Sequence, residues 1–97
     1  MGGLAQPQRT RSRIKIYFDI LSSVKEEGNA KPTRVLYRSN LSYDRLTRYL
    51  DELVTKGLLA EVRSEDSRYY TITEKGSEFL LEVKKAEAFL KGFGLSL

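Results

Sequence analysis

The sequence predicts a mainly α fold with one small β-hairpin (α+β), closing on a longer helix. Three observations predict it. Apolar residues recur at helical period in the chain's first half, notably Leu46, Leu50 and Leu53. From Leu58 to Thr73 the period falls to about two and strand-forming residues collect around a polar link. From Glu74 onward the helical period returns. The 97 residues make one domain with a single core, marginal in size for a monomer.

Residues 1–10, with Gly2-Gly3, Pro7 and two glutamines, read as a disordered basic tail. Arg9, Arg11 and Arg13 form a short basic run, either a floating tail or an arm lying along phosphates. The first helix is expected from about Ser12 to Glu27. Its inner face is Ile14, Tyr17, Leu21 and Val24, widened by Phe18 and Ile20. Gly28-Asn29 ends it. Lys31-Pro32-Thr33 opens a shorter helix, because proline's missing N–H would be unpaired in a first turn anyway. Val35, Leu36 and Tyr37 are expected to face inward, and Ser39-Asn40 breaks the helix. Asn40 suits the turn because asparagine tolerates left-handed backbone angles.

The third helix begins with Ser42 as N-cap and Asp44 beside the positive helix end. Lys56 and Gly57 form its stop. Behind its leucine stripe lie Asp44, Arg45, Thr47, Arg48 and Thr55. A short helix, a tight polar turn and a leucine-keeled helix make a helix-turn-helix pattern. The residues that follow, Leu58–Arg63 and Tyr69–Thr73, joined by Ser64–Arg68, read as a hairpin with Val62, Tyr70 and Ile72 turned to the core. A lone hairpin is marginal, so it must lean on the helices as a wing. Arg63 and Arg68 flank its tip, with Glu65 and Asp66 between them.

Thr73 caps the last helix. Phe79, Val83, Ala86, Leu90 and Phe93 are spaced four, three, four and three, a heptad seam of two repeats, with Leu80, Leu81 and Phe89 beside it. One helix of a small domain does not need so much apolar surface for itself. The surplus predicts an antiparallel coiled-coil dimer. The expected organisation is therefore a tail over 1–10, a winged helix-turn-helix over 11–73 and a dimerisation helix over 74–97.

Composition removes several classes. There is no cysteine and no histidine, hence no disulfide, no thiolate metal site and neither of the usual nucleophile–base pairs. No Gly-rich phosphate loop is present. The reading is a non-enzyme with no cofactor, no metal site and no evident small-molecule ligand. No apolar run is long enough to span a bilayer and the N-terminus lacks a signal-peptide core, so the expected location is cytoplasmic and nucleoid-associated, without a membrane partner. The net charge of +4 is uneven: ten Lys/Arg against four Asp/Glu up to Leu50, seven against nine after it. A basic half points to a polyanion and leaves the tail another task.

Four segments follow one another at a familiar spacing: Arg13-Ile14-Lys15-Ile16-Tyr17-Phe18-Asp19-Ile20-Leu21, Ser39-Asn40-Leu41-Ser42-Tyr43-Asp44-Arg45-Leu46, Tyr49 through Leu59, and Tyr70-Thr71-Ile72-Thr73-Glu74-Lys75-Gly76. On these the chain resembles, from about Arg11 to Leu90, the small archaeal winged-helix proteins that include basic ten-kilodalton chromatin-associated DNA binders. Lys-Gly-Leu-Leu and Thr-Glu-Lys-Gly are common to many winged helices; Asn-Leu-Ser-Tyr together with Arg-Tyr-Leu is more specific. The resemblance implies a homodimer through the last helix and double-stranded DNA bound by the third. With that fold, Ser42, Tyr43, Arg45 and Arg48 enter the major groove. Arg45 or Arg48 grips a guanine edge, or both hold phosphates. Thr33, Arg34 and Arg38 bracket the backbone, and Arg63 and Arg68 reach it from the wing or simply solvate the hairpin. Asp44 accepts from a cytosine amine or serves its helix end. The role is a transcriptional regulator, alternatively a sequence-independent architectural chromatin protein, or a winged module for protein contacts.

Overall fold

The computed structural model describes residues 11–97; the tail expected over residues 1–10, Arg9 included, lies outside the described residues. The elements run α1 (Arg13–Glu27), α2 (Pro32–Ser39), α3 (Tyr43–Thr55), β1 (Leu59–Arg63), β2 (Arg68–Ile72) and α4 (Glu74–Lys91). Each boundary has a local cause. Ser12 caps α1 by accepting from the Lys15 N–H at 3.1 Å. Ser42 does the same for α3 from the Arg45 N–H at 3.3 Å. Pro32 occupies the first turn of α2, and Asn40 closes it in the left-handed conformation, φ 62°.

The end of α3 sets where the wing begins. Gly57 has φ +80°, a conformation that costs an L side chain strain. Its N–H donates to Val54 O, and the Leu58 N–H reaches back to Leu53 O, both at 2.9 Å. This pair of bonds satisfies the last carbonyls of the helix and turns the chain sharply into β1. Leu53 and Leu58, the apolar residues that accompany the turn, are both buried.

The hairpin is antiparallel, with Leu59 opposite Ile72, Glu61 opposite Tyr70 and Arg63 opposite Arg68. Ser64 N–H to Ser67 O at 2.9 Å closes its tip. β2 therefore starts one residue earlier than expected. A third segment also pairs with it: Ala30 and Tyr70 exchange both backbone bonds, at 2.9 and 2.8 Å. That single bridge ties the α1–α2 loop to the wing, and no sequence periodicity announces it.

One core joins α1, α2, α3 and the hairpin. Ile20, Leu21, Val24, Val35, Leu46, Leu50 and Leu53 are fully buried, with Tyr70 almost so. Three expectations are corrected. Ile14 is exposed and Ile16 takes its place inside; the buried face at the start of α1 runs through Ile16, Tyr17 and Ile20. Tyr37 is 88% exposed rather than inward, because α2 is only two turns long and Val35 already occupies its inner line. Val62 is exposed. With a side-chain period of two, Val62 shares the outer face with its partner Tyr69, while Tyr70 goes in.

α4 is strapped to the start of β1. Thr73 accepts from the Gly76 N–H at 3.0 Å and donates its hydroxyl to Gly57 O at 2.7 Å. Its own N–H donates to Leu58 O at 3.2 Å. Gly76 lies so close that a Cβ there would sit 2.2 Å from Leu58 O and 2.7 Å from Ile72 Cγ1. Leu80 and Val83 are buried, and the Phe79 ring centroid is 6.3 Å from that of Tyr17. Farther out, Phe89 and Phe93 are each 67% exposed. Among the described residues no helix is long and apolar enough to cross a membrane.

Replacing Gly76 by Ala should destabilise the domain by about 1–3 kcal/mol or more, since backbone rather than a flexible side chain must move. Urea unfolding monitored by circular dichroism measures this.

Candidate nucleic-acid interface

Burying Leu46, Leu50 and Leu53 turns the opposite side of α3 to solvent. Tyr43 is half exposed there, and Asp44, Arg45 and Arg48 are exposed. Neither Arg45 nor Arg48 forms an ion pair among the described residues. The hydroxyls nearby have structural tasks. Ser42 is the cap, and Thr47 donates to Asp44 O at 2.9 Å. Asp44 stands in the first turn of α3, where a carboxylate favours the helix end. The face therefore offers two guanidiniums and one tyrosine to a ligand.

The other candidate cations are differently placed. Thr33 is exposed at the start of α2. Arg34 forks onto Glu27, Nε to Oε1 at 3.4 Å and NH2 to Oε2 at 3.3 Å. Arg38 meets Glu26 at 2.6 Å and Glu27 at 3.6 Å. On the wing, Glu61 Oε2 lies 3.2 Å from Arg63 Nε and 3.5 Å from Arg68 Nε. That oxygen is buried and takes no directional hydrogen bond, so the contact is ionic. Arg68 also lies over the Tyr70 ring, 5.8 Å from its centroid. Arg11 is not part of a floating tail: it pairs with Asp19 and donates to Ser39 O at 2.8 Å, joining α1 to the end of α2.

The sequence reading missed a group beside α3. Arg13, Arg45, Arg48, Tyr49 and Glu52 line a cleft of about 270 Å³. Glu52 accepts from the Tyr17 hydroxyl at 2.6 Å and lies 3.9 Å from Arg13 NH1. Tyr17 is 5% exposed and meets Tyr49 edge-on, with centroids 6.1 Å apart. Its phenol is pushed up to about 12, first by burial and then by the hydrogen bond to the Glu52 carboxylate. The signal for Arg13 was present in the basic run; the contacts of Glu52 with Tyr17 and Arg13 cross from α1 and leave no local pattern. Among the described residues no cluster of three or more His, Cys, Asp or Glu is placed to hold a metal ion.

The expected dimerisation seam is split. Phe79 is half-buried and Val83 buried against the chain's own domain; Leu90 is half-buried, while Ala86 and Phe93 are exposed. Phe89 meets Phe93 at a tilt, 5.3 Å between centroids, and both are exposed at the far end of α4 and just past it, with Leu81 exposed nearer its start.

A model of the winged helix-turn-helix family matches residues 10–91. The chain is similar to Sso10a-2, a DNA-binding protein from Sulfolobus solfataricus, at TM-score 0.76 and 31% identity, over 86% of this chain and 85% of that one. It is also similar to the transcriptional regulator BldR from Sulfolobus solfataricus, at TM-score 0.65 and 26% identity, over 81% of this chain and 56% of that one. A relative of uncharacterized function from Methanocaldococcus jannaschii is 29% identical over 68 residues, 70% of this chain and 65% of that protein. The chain thus spans just under two thirds of that relative's length.

The Tyr17 environment predicts an alkaline weakness. Unfolded tyrosine loses its proton near pH 10, whereas folded Tyr17 holds its proton to about 12. Its contribution is full below about pH 10 and is lost as pH rises toward 12. Burial also raises Tyr70, in the same direction. Tyr17→Phe should show a shallower loss of stability across this window than the native chain, measured by denaturant midpoints at pH 9 to 12.

Proposed function

The chain belongs to the winged helix-turn-helix family, and from that premise we propose that it binds double-stranded DNA as a homodimer and acts as a transcriptional regulator associated with the nucleoid. One observation carries the DNA face. Arg45 and Arg48 stand opposite the buried keel without a carboxylate partner, whereas Arg34, Arg38, Arg63 and Arg68 each face one. A guanidinium already held by a carboxylate gains less from a phosphate, because the new contact replaces an old one. Arg45 and Arg48 break no ion pair to make it. Presented from the first half of α3, they reach a major groove as in other helix-turn-helix proteins. Tyr43 lies on the same exposed side, and Thr33, Arg34 and Arg38 of α2 meet the DNA backbone. Arg63 and Arg68, kept side by side through Glu61, follow the backbone from the wing.

Dimerisation rests on the distal half of α4. Two phenylalanines, each 67% exposed, adjoin Ala86 and Leu90. Apolar surface of this kind on a helix that projects past its own core fits a second copy. The architectural reading keeps one observation in its favour: with Ser42 and Thr47 engaged locally, the face carries mainly charge, which suits phosphates over bases. Sso10a-2 is a DNA-binding protein and BldR a transcriptional regulator, so the likeness runs to both sides.

The deciding experiment is a titration against random and genomic duplexes at two salt concentrations. A regulator binds a few genomic sites far more tightly than random duplex; an architectural protein binds all alike. With roughly six phosphates neutralised per dimer, the log–log salt slope should be about −5. Arg45→Ala with Arg48→Ala should weaken binding by about 1–3 kcal/mol for each guanine contact removed, with an unchanged melting temperature. Unchanged affinity places the interface elsewhere. Phe89→Glu with Phe93→Glu should yield folded monomers in sedimentation velocity; a persisting dimer removes the distal seam as the interface.

A further inference from the structure

The cleft beside α3 has a composition that suits one ligand class. Three guanidiniums border it, Arg13 from α1 and Arg45 and Arg48 from α3, against a single carboxylate, Glu52. Like charges gathered around one cleft repel one another, and an anion between them offsets that repulsion. The cleft's volume of about 270 Å³ admits a phosphate group with part of its water shell. α1 and α3 meet here through side chains, since Tyr17 and Arg13 of α1 both address Glu52 of α3.

We infer that this cleft is a phosphate-oxyanion site, with Arg13, Arg45 and Arg48 as its donors and Glu52 as the group that limits its affinity. The Tyr17 hydroxyl holds Glu52 at the cleft wall. From there the carboxylate attracts Arg13 weakly, at 3.9 Å, and repels an incoming anion. A bound phosphate takes Arg13 from Glu52 and bridges α1 to α3. The occupant is a backbone phosphodiester of a duplex or a free phosphate-bearing molecule; both present the same oxygens. The first source rests on the DNA-binding reading above, the second does not.

The test replaces chloride by inorganic phosphate at constant ionic strength and follows the native chain by 1H–15N NMR and thermal unfolding. Saturable shifts centred on Arg13, Arg45, Arg48 and Tyr49, with a rising melting temperature, support the site. Arg13→Gln should weaken phosphate binding severalfold. Glu52→Gln keeps an acceptor for Tyr17 but removes the opposing charge, and should tighten binding roughly two- to fivefold. Lys84→Gln, on α4 and outside the cleft, should change nothing. Unsaturable shifts spread over the basic surface, or equal affinities for the native chain, Arg13→Gln and Glu52→Gln, overturn the proposal. A duplex arm identifies the source. If Arg13→Gln also lowers duplex affinity and flattens the salt slope of the dimer by about two units, the occupant is a backbone phosphate. If duplex affinity is unchanged while phosphate binding falls, the site stands and serves a free phosphate compound. A chain that binds no duplex at all refutes the DNA-binding reading, while the phosphate titration still decides the cleft.

Discussion

Burial of Leu46, Leu50 and Leu53 decides which side of α3 meets solvent. Each is completely covered, and full burial of a leucine contributes about 1.5–3 kcal/mol relative to exposure. Rotating the helix to hide its arginines would bring those leucines into water, so the orientation of Arg45 and Arg48 follows from the core. The ends of the helix are also defined. Ser42 caps one end, and the Gly57 turn closes the other and passes the chain to β1. Thr73 then joins that same turn to α4 through Gly57 O. The presenting helix, the wing and the last helix therefore meet at one junction, where Gly76 leaves room for backbone to approach backbone.

Carboxylates sort the arginines. Glu26 and Glu27 at the end of α1 hold Arg34 and Arg38, and Glu61 lies between the two wing arginines. Exposed pairs of this kind contribute little stability, typically 0–1 kcal/mol, so their effect is on availability rather than folding. They leave the α3 face as the most open cationic surface among the helix-turn-helix arginines. Glu52 is an intermediate case: it is fixed by a buried phenol and only loosely engaged with Arg13. The same phenol touches Tyr49 on α3 and Phe79 on α4, which makes Tyr17 the side chain shared by the presenting helix and the last helix.

Local chemistry made most elements legible in the sequence. Ser42 and Thr73 cap the helices they were expected to cap, Asn40 adopts the left-handed angle its turn needs, and the winged helix-turn-helix order follows from the change of period at Leu58. What escaped depends on neighbours far along the chain. The inward turn of Ile16 in place of Ile14, and the exposure of Tyr37, are set by how a helix rolls against its partners. Val62 was misplaced because register, not composition, decides which strand residues share a face. The Ala30–Tyr70 bridge involves one residue of a loop and leaves no pattern. Ion pairing of Arg34, Arg38, Arg63 and Arg68, and the meeting of Arg13 with Glu52, are tertiary facts. The heptad seam of α4 was visible as a spacing, but spacing does not tell how far along the helix the chain's own core extends; here Val83 is inside and Phe93 is not.

We propose that the solvent-facing side of α3 is the surface that meets nucleic acid. The most direct test is NMR mapping of a short duplex onto the isotope-labelled chain, observing backbone amides together with arginine side-chain Nε–Hε signals. The largest perturbations should fall from Tyr43 to Arg48, with the Arg45 and Arg48 guanidinium signals shifting most and those of Arg34 and Arg38 far less. Perturbations centred on α2 or on α4, with the Arg45 and Arg48 signals unmoved at saturation, would contradict it.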